Sequence, residues 1–256
     1  MFSAMQNSSD KIYQAAELIK HSNYNVAFTG AGISVESGIP PFRGDNGLWS
    51  KYDPVFLDIN YFHQHPEKSW RLIKEIFYDF FGKAKPNAAH YTLAEMEKMR
   101  LLHSIITQNI DNLHQNAGSK EVYEFHGNSR YLICETCSKS FLAKKIDLSS
   151  LPPSCPYCKT VLKPDFVFFG EPIPEPANTN SFKEAINAEI FILIGTTGEI
   201  MPASIIPFEA KKNGKKIIEI NVAPSNYTQT ITDIFLQGKA TVIMQQLLFM
   251  LNNQRL

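Results

Sequence analysis

The sequence predicts an α/β chain in which a doubly wound parallel sheet carries a second, smaller lobe. Three observations predict it. Apolar runs of strand length, Asn25-Val26-Ala27-Phe28-Thr29, Ile190-Phe191-Ile192-Leu193-Ile194 and Lys216-Ile217-Ile218-Glu219-Ile220, alternate with stretches of helical periodicity. Such runs are how parallel strands covered on both faces read. Each run stops at Gly30, Gly195 or Asn221, which puts small or polar groups at the carboxyl edge of the sheet, where open α/β folds bind ligands. Finally, 256 residues fit a large domain with a small companion, and all four cysteines fall in two Cys-x-x-Cys pairs between 134 and 158, leaving none for scattered disulfides.

Taken in order, Ser9-Asp10 is expected to cap a helix carried by Ile12, Ala15, Ala16, Leu18 and Ile19. The first strand follows at 25–29. The stretch from Gly30 to Gly44 is too rich in glycine and proline for a regular element and reads as a long, mobile loop. Tyr61, Phe62, Trp70, Leu72, Ile73, Ile76, Phe77 and Phe80 predict a helical insert over 58–83, closed by Pro86-Asn87. A helix over 88–99 then leads to a strand through Ile105-Ile106 that ends abruptly in Thr107-Gln108-Asn109-Ile110-Asp111. After the two late strands a last helix runs over 242–251, and Met96, Met99, Met244 and Met250 are simplest as core.

The whole chain narrows the function classes. Its 256 residues can bury a substantial core, and 25 basic residues balance 25 acidic ones, so no global field draws it to nucleic acid or anionic lipid. Met1 to Asp10 shows no basic region followed by an apolar core, so no leader is expected, and no apolar run approaches the length needed to span a bilayer. A soluble cytoplasmic protein is expected, and cysteines confined to two pairs fit a reducing compartment.

Cys134-x-x-Cys137 and Cys155-x-x-Cys158 have the spacing of a ribbon in which two thiolate knuckles clamp one Zn(2+). The rival, a pair of redox motifs, lacks the strand-to-helix setting of a reactive thiol. Four thiolates leave no open coordination position, so the metal is expected to hold structure and not to activate water. Gly30-Ala31-Gly32 after a strand permits a tight turn and lets amides approach a pyrophosphate, although Val35 stands where a third glycine is usual. Ser34, Ser37, Phe42 and Arg43 add hydroxyls, a ring and a cation to the same loop, a set suited to a phosphate and an aromatic base.

His126 is the histidine with a chemical context: Gly127 is expected to open space beside it, and it lies close in sequence to Gln108, Asn109 and Asp111, where a general base of near-neutral pKa would be useful. His21, His63, His65, His90, His103 and His114 read as ordinary core or surface groups. Asp111 has a second reading as the cap of the segment that starts at Asn112. Lys163 to Glu171 reads either as core packing or as a greasy wall, Val167-Phe168-Phe169-Gly170-Glu171, with strand-like backbone free to pair with a peptide. Gly195-Thr196-Thr197 and Asn221-Val222 supply hydroxyls and an amide for phosphate and ribose.

These motifs, in this order and running from about Ile19 to the C-terminus, resemble the sirtuins, NAD-dependent protein-lysine deacylases, here of the bacterial and archaeal deacetylase type. The motifs are Gly30-Ala31-Gly32-Ile33-Ser34, Gly38-Ile39-Pro40, Phe42-Arg43-Gly44, Thr107-Gln108-Asn109-Ile110-Asp111, His126-Gly127, the four cysteines, Phe168-Phe169-Gly170-Glu171, Gly195-Thr196-Thr197 and Ile220-Asn221. The resemblance implies a Rossmann-type domain from 1–33, 88–127 and 163–256, a cofactor loop and helical insert over 34–87, and a zinc ribbon over 128–162. It also implies a cleft between the lobes for NAD and an acyl-lysine peptide. In the family the acyl oxygen attacks the nicotinamide ribose, nicotinamide leaves, and the histidine at position 126 acts as base on the ribose hydroxyls, yielding deacylated lysine and acyl-ADP-ribose. By that resemblance Asn109 and Asp111 hold the nicotinamide end, Gln108 its ribose, and Phe42 shields the reactive centre. Gly30, Ala31, Gly32, Ser34, Arg43, Ile110, Gly195, Thr196, Thr197, Asn221, Val222 and Ala240 then meet the rest of the cofactor.

Departures from the family pattern are Thr197 for the commoner serine, Asn112 and Asn116 for glycine and arginine, and the sequence Gly198-Glu199-Ile200-Met201-Pro202 in the peptide-binding strand. The Tyr-x-x-Arg pair of succinyl- and malonyl-removing sirtuins is missing, because Phe81 follows Tyr78 at that spacing. Acetyl or longer neutral acyl groups are therefore expected over succinyl. Rival readings are an NAD-dependent protein ADP-ribosyltransferase, a noncatalytic zinc-ribbon binding module and a hydride-transferring dehydrogenase. Oligomeric state and protein substrates are not readable from the sequence.

Overall fold

In a computed structural model of the chain, residues 2–43 and 47–253 are described. Met1, residues 254–256 and Gly44 of the Phe42-Arg43-Gly44 motif lie outside them. The elements are α1 (Phe2–His21), β1 (Asn25–Thr29), α2 (Ile59–Gln64), α3 (Pro66–Ile73), α4 (Ala88–Lys98), β2 (Ser104–Thr107), α5 (Leu113–Ala117), β3 (Val122–Glu124), β4 (Gly127–Ile133), β5 (Ser140–Leu142), β6 (Lys163–Phe166), α6 (Ala177–Asn187), β7 (Ile190–Ile194), α7 (Ile205–Lys212), β8 (Lys216–Asn221), β9 (Ile234–Gln237) and α8 (Ala240–Asn253). No described helix is long and apolar enough to cross a membrane.

Six strands form one parallel sheet in the order β3-β2-β1-β7-β8-β9. The chain works outward from β1 to β3, then returns to the other side of β1 with β7, so the β1/β7 boundary is the topological switch point where a ligand crevice opens. Successive residues of each strand feed opposite faces. Ala27, Ile105, Ile192 and Ile218 join one aliphatic cluster with residues of α1, α4 and α8, while Val26, Ile106, Phe191 and Ile217 join another with residues of α6 and α7. Both faces are thus covered, which is why β7 reads as an unbroken apolar run.

The smaller lobe carries a three-stranded antiparallel sheet, β5-β4-β6, and the helical insert. The boundary expected at 162/163 cuts through it, because Lys163–Phe166 pairs with β4 and not with the large sheet. An aromatic cluster that includes Phe56, Phe62, Trp70, Phe77, Phe166 and Phe168 joins insert and ribbon. The buried Trp70 also donates its indole N–H to the Leu162 carbonyl at 2.8 Å. Asp58 caps α2 by accepting from Tyr61 N–H, and Pro66 starts α3 where its missing N–H costs nothing.

Two local expectations change. Ser9 and Asp10 lie inside α1 as exposed residues, because the helix begins a further turn and more before them. The loop after β1 is not formless: Ala31–Ser37 is a 3₁₀ helix with Ile33 and Ser34 buried, closed by Gly38 at φ 91°. Buried hydrogen bonds of Ser34 hold it, and these are invisible in the local composition.

Candidate active site

The site begins where β1 and β7 end side by side. Gly30 N–H donates to the Ile194 carbonyl at 3.0 Å, and Gly32 N–H to the Gly195 carbonyl at 2.8 Å. A Cβ on Gly32 would sit 2.5 Å from the Gly195 Cα, and one on Gly195, at φ 63°, 2.4 Å from the Ile33 nitrogen. These glycines therefore serve first to interlock two turns. The expectation that their amides are turned to a pyrophosphate is corrected for Gly30 and Gly32, whose N–H groups the Ile194 and Gly195 carbonyls already take up.

The end of β2 adds a buried polar knot. Asn109 donates through Nδ2 to the Gly30 carbonyl at 3.1 Å and to Ser34 Oγ at 3.3 Å, and Ser34 Oγ donates to Asp111 Oδ2 at 2.7 Å. The other Asp111 oxygen accepts Leu113 N–H at 2.9 Å, so Asp111 ties the start of α5 to the loop after β1, although Asn112 and not Asp111 is the N-cap residue. Burial pushes its carboxyl pKa up, against the pull of those donors. Beneath lie two histidines that the sequence offered only as bland. His90 reaches Ser34 Oγ through Nε2 at 3.4 Å while its Nδ1 accepts Asn87 N–H, and His114 Nε2 bonds Thr29 Oγ1 at 2.9 Å. Burial holds His90 down at about 4, and burial together with the neighbouring His90 depresses His114. Both are neutral structural groups, far apart in sequence from what they support.

His126 stands at the seam of the lobes, between β3 and β4. Its Nδ1 lies 3.0 Å from the Gln108 carbonyl, and since a carbonyl only accepts, Nδ1 carries the proton and Nε2 keeps a basic lone pair. Burial lowers the ring's pKa, opposed by that bond to Gln108. Gly127 does not open space beside it. At φ 72° its Cβ would fall 2.3 Å from the Asp165 carbonyl, so the glycine lets β4 meet β6. Gln108 in turn donates to Thr196 Oγ1 at 3.1 Å, and Asn221 Nδ2 donates to the Thr196 carbonyl at 3.0 Å, tying the three strand ends together.

A cavity of about 760 Å³ runs between the lobes. Every residue expected to meet cofactor or substrate lines it except Ser34 and Asp111. Those two line an adjoining recess that shares Ala31, Phe42, Asn109 and Ile110 with the main cavity. Glu36, Trp49, Leu57, Phe77 and Lys239, not expected from the sequence, also line the cavity, as do Glu199 to Pro202 of the segment expected to bind peptide. Only the aromatic pattern of the insert hinted at Phe77. At the mouth, Arg43 Nε lies 3.8 Å from Glu199 Oε2, both side chains about half exposed. The wall at 167–169 is less open to β-pairing than expected: Val167 N–H is spent on the His126 carbonyl (2.9 Å), Phe168 N–H on Glu171 Oε2 (2.7 Å) and Phe169 N–H on the Leu57 carbonyl (2.8 Å).

Away from the cavity, the Sγ atoms of Cys134, Cys137, Cys155 and Cys158 all lie within 4.8 Å of one another, with Thr160 Oγ1 near those of Cys134 and Cys158 at 3.2 and 3.1 Å. That clustering and all-sulfur donor set fit one tetrahedral zinc ion.

Comparison with known proteins agrees. The Sir2 family model matches residues 30–202. The NAD-dependent protein deacetylase 1 of Pyrobaculum aerophilum is 44% identical over 247 residues, 96% of each chain. The NAD-dependent protein deacylase of Pyrococcus furiosus is 43% identical, covering 91% of this chain and 95% of that one. Among solved structures, a Sir2 homologue in complex with ADP-ribose superposes with a TM-score of 0.89 at 38% identity, over 93% of this chain and 95% of the other. A Sir2 structure with a p53 peptide and NAD+ gives 0.85 at 33% identity, over 92% and 96%. The chain belongs to the Sir2 family.

Proposed function

We propose that this protein is an NAD-dependent protein-lysine deacetylase that releases nicotinamide and acyl-ADP-ribose, with His126 as general base. One observation carries the reading: a half-buried imidazole with an unprotonated Nε2 lines a cavity whose one side is strand ends suited to a nucleotide and whose other side is aromatic. NAD is a second substrate, which supplies the ribose carbon that accepts the acyl oxygen as nicotinamide leaves. Ala31, Thr196, Thr197, Asn221, Val222 and Ala240 hold its phosphates and adenosine end, while Gly30 and Gly32, whose N–H groups are already bonded, leave it room to approach the backbone. Gln108, Asn109, Ile110 and Asp111 hold the nicotinamide end, and Phe42 and Arg43 cover it from the loop.

Val167, Phe168, Phe169, Gly170 and Glu171 receive the acyl-lysine peptide. Water excluded from this pocket cannot intercept the activated sugar, which gives the aromatic wall a chemical purpose. His126 accepts a proton from a ribose hydroxyl at Nε2 while the Gln108 carbonyl steadies Nδ1–H. The four cysteines bind Zn(2+) as structure, far from any role as Lewis acid. Four thiols gathered for a metal fit the reducing cytoplasm, and the balanced charge speaks for protein substrates over nucleic acid.

The test is nicotinamide release from NAD with an acetyl-lysine peptide, by wild type and by His126→Ala. We expect turnover by the first and a loss of about 10²-fold or more in the second, the scale of a general base. Undiminished release by the variant would contradict the role of His126. ADP-ribose left on the peptide would favour a transferase, and no cleavage at all a noncatalytic module.

A further inference from the structure

Lys163 opens β6 with a side chain only 3% exposed. Its Nζ lies 2.9 Å from Glu171 Oε2, 3.1 Å from the Pro164 carbonyl, 2.8 Å from the Phe166 carbonyl and 4.4 Å from the centre of the Phe168 ring. An ammonium has three donors, and here all three are spent. The same Glu171 oxygen accepts Phe168 N–H, while Glu171 N–H returns to the Phe168 carbonyl at 3.0 Å through a turn at Gly170, φ 93°. One cation thus fixes the chain at 164, 166, 168 and 171.

Apolar side chains of similar volume commonly match a buried ion pair in stability, so stability alone does not account for a charge in this aromatic cluster. What the charge adds is direction. Its contacts dictate where residues 166–171 run, and Val167, inside that segment, bonds the carbonyl of His126. None of its partners belongs to the glycine turns, Thr196 or Asn221. From this we infer that Lys163 is a positioning residue for the acyl-lysine half of the reaction, acting through Phe168 and Val167. The inference rests on the deacylase reading above.

The experiment uses the full chain as wild type, Lys163→Met, Lys163→Arg and the double variant Lys163→Met with Glu171→Leu. Dissociation constants for an acetyl-lysine peptide and for ADP-ribose are measured by calorimetry, beside steady-state KM, kcat and melting. Displacing the wall should weaken the peptide about tenfold in Lys163→Met. ADP-ribose should stay within about twofold, and Lys163→Arg should recover most of the peptide affinity. The double variant, with no orphaned charge, should melt close to wild type yet still bind peptide weakly. An unchanged peptide constant in Lys163→Met, equal weakening of peptide and ADP-ribose, or normal peptide affinity in the double variant would overturn the inference. A wild type that binds peptide without cleaving NAD would instead sink the deacylase reading, and the binding comparison would still judge Lys163.

Discussion

Where β1 and β7 meet, the cavity is shaped by backbone against backbone, with glycines at 30, 32 and 195 whose Cβ atoms would fall 2.4 to 2.8 Å from their neighbours. Across the cleft, at 166–171, it is shaped by side chains gathered around a buried ammonium. The proposed nucleotide side is fixed first by backbone contacts that admit no Cβ, with Gln108, Thr196 and Asn221 bonded across the strand ends, whereas the proposed acyl side is set by side chains. Cofactor binding is therefore expected to tolerate fewer substitutions than acyl choice, which is the more tunable half.

The severest way to break this contrast is to remove the metal. Structural zinc supplies about 10 kcal/mol or more of folding free energy in small ribbons. Chelation, or Cys155→Ser, should unfold the ribbon and abolish activity while the six-stranded sheet persists. Far-UV circular dichroism should fall only in part, while near-UV signals from the small lobe's aromatic cluster collapse. Full cooperative loss of both would mean the lobes are not separable.

Gly195→Ala probes the backbone side alone. With a positive φ and a clash against the Ile33 nitrogen, it should cost about 2–4 kcal/mol of stability and raise the KM for NAD more than that for peptide. An alanine variant with wild-type melting and NAD affinity would refute the interlock.

Acid should loosen the polar knot beneath the cofactor loop. His90 is neutral in the fold until about pH 4, against an ordinary value near 6.5, so the unfolded chain binds the extra proton between those limits. Stability then rises with pH across that window, and about 3 kcal/mol is lost on going down it. His114 acts in the same direction, while Asp111, raised by burial, takes up its proton early in the fold and softens the loss at the acid end. Denaturant melts at pH 7 and pH 5 of wild type and His90→Gln check this, the variant being expected to lose part of the pH slope.

The smallest effect sharpens the tunable side. The cavity side proposed to receive the acyl group includes Leu57, Phe77, Phe166 and Phe168, and Arg71, the arginine of the insert, is exposed and paired with Glu67. A succinyl carboxylate would lose water without gaining a cation, so succinyl-peptide should turn over at least about tenfold more slowly than acetyl-peptide in kcat/KM. Equal rates would contradict the apolar wall.

Much of this was legible before the structure. Ile190 to Ile194 announced a strand of the sheet, the cysteine spacing a metal unit, and the polar break at Gln108-Asn109-Asp111 the edge where the cavity and its recess open. What escaped has physical reasons. β3 and β9 are short and largely half-buried, so periodicity has little to act on. Ser34 meets His90 and Asp111 across 56 and 77 residues, and no local pattern encodes such pairs. Lys163 drew no reading of its own at the head of the stretch to Glu171, because a charge that is satisfied internally looks the same in sequence as one facing water.

That the cavity joins nicotinamide departure to acyl transfer is tested most directly by mass balance after incubation with NAD and an acetyl-lysine peptide. Equal amounts of nicotinamide, free-lysine peptide and acetyl-ADP-ribose are predicted. Nicotinamide accompanied by unaltered acetyl-peptide, or deacetylated peptide with NAD intact, would contradict the account.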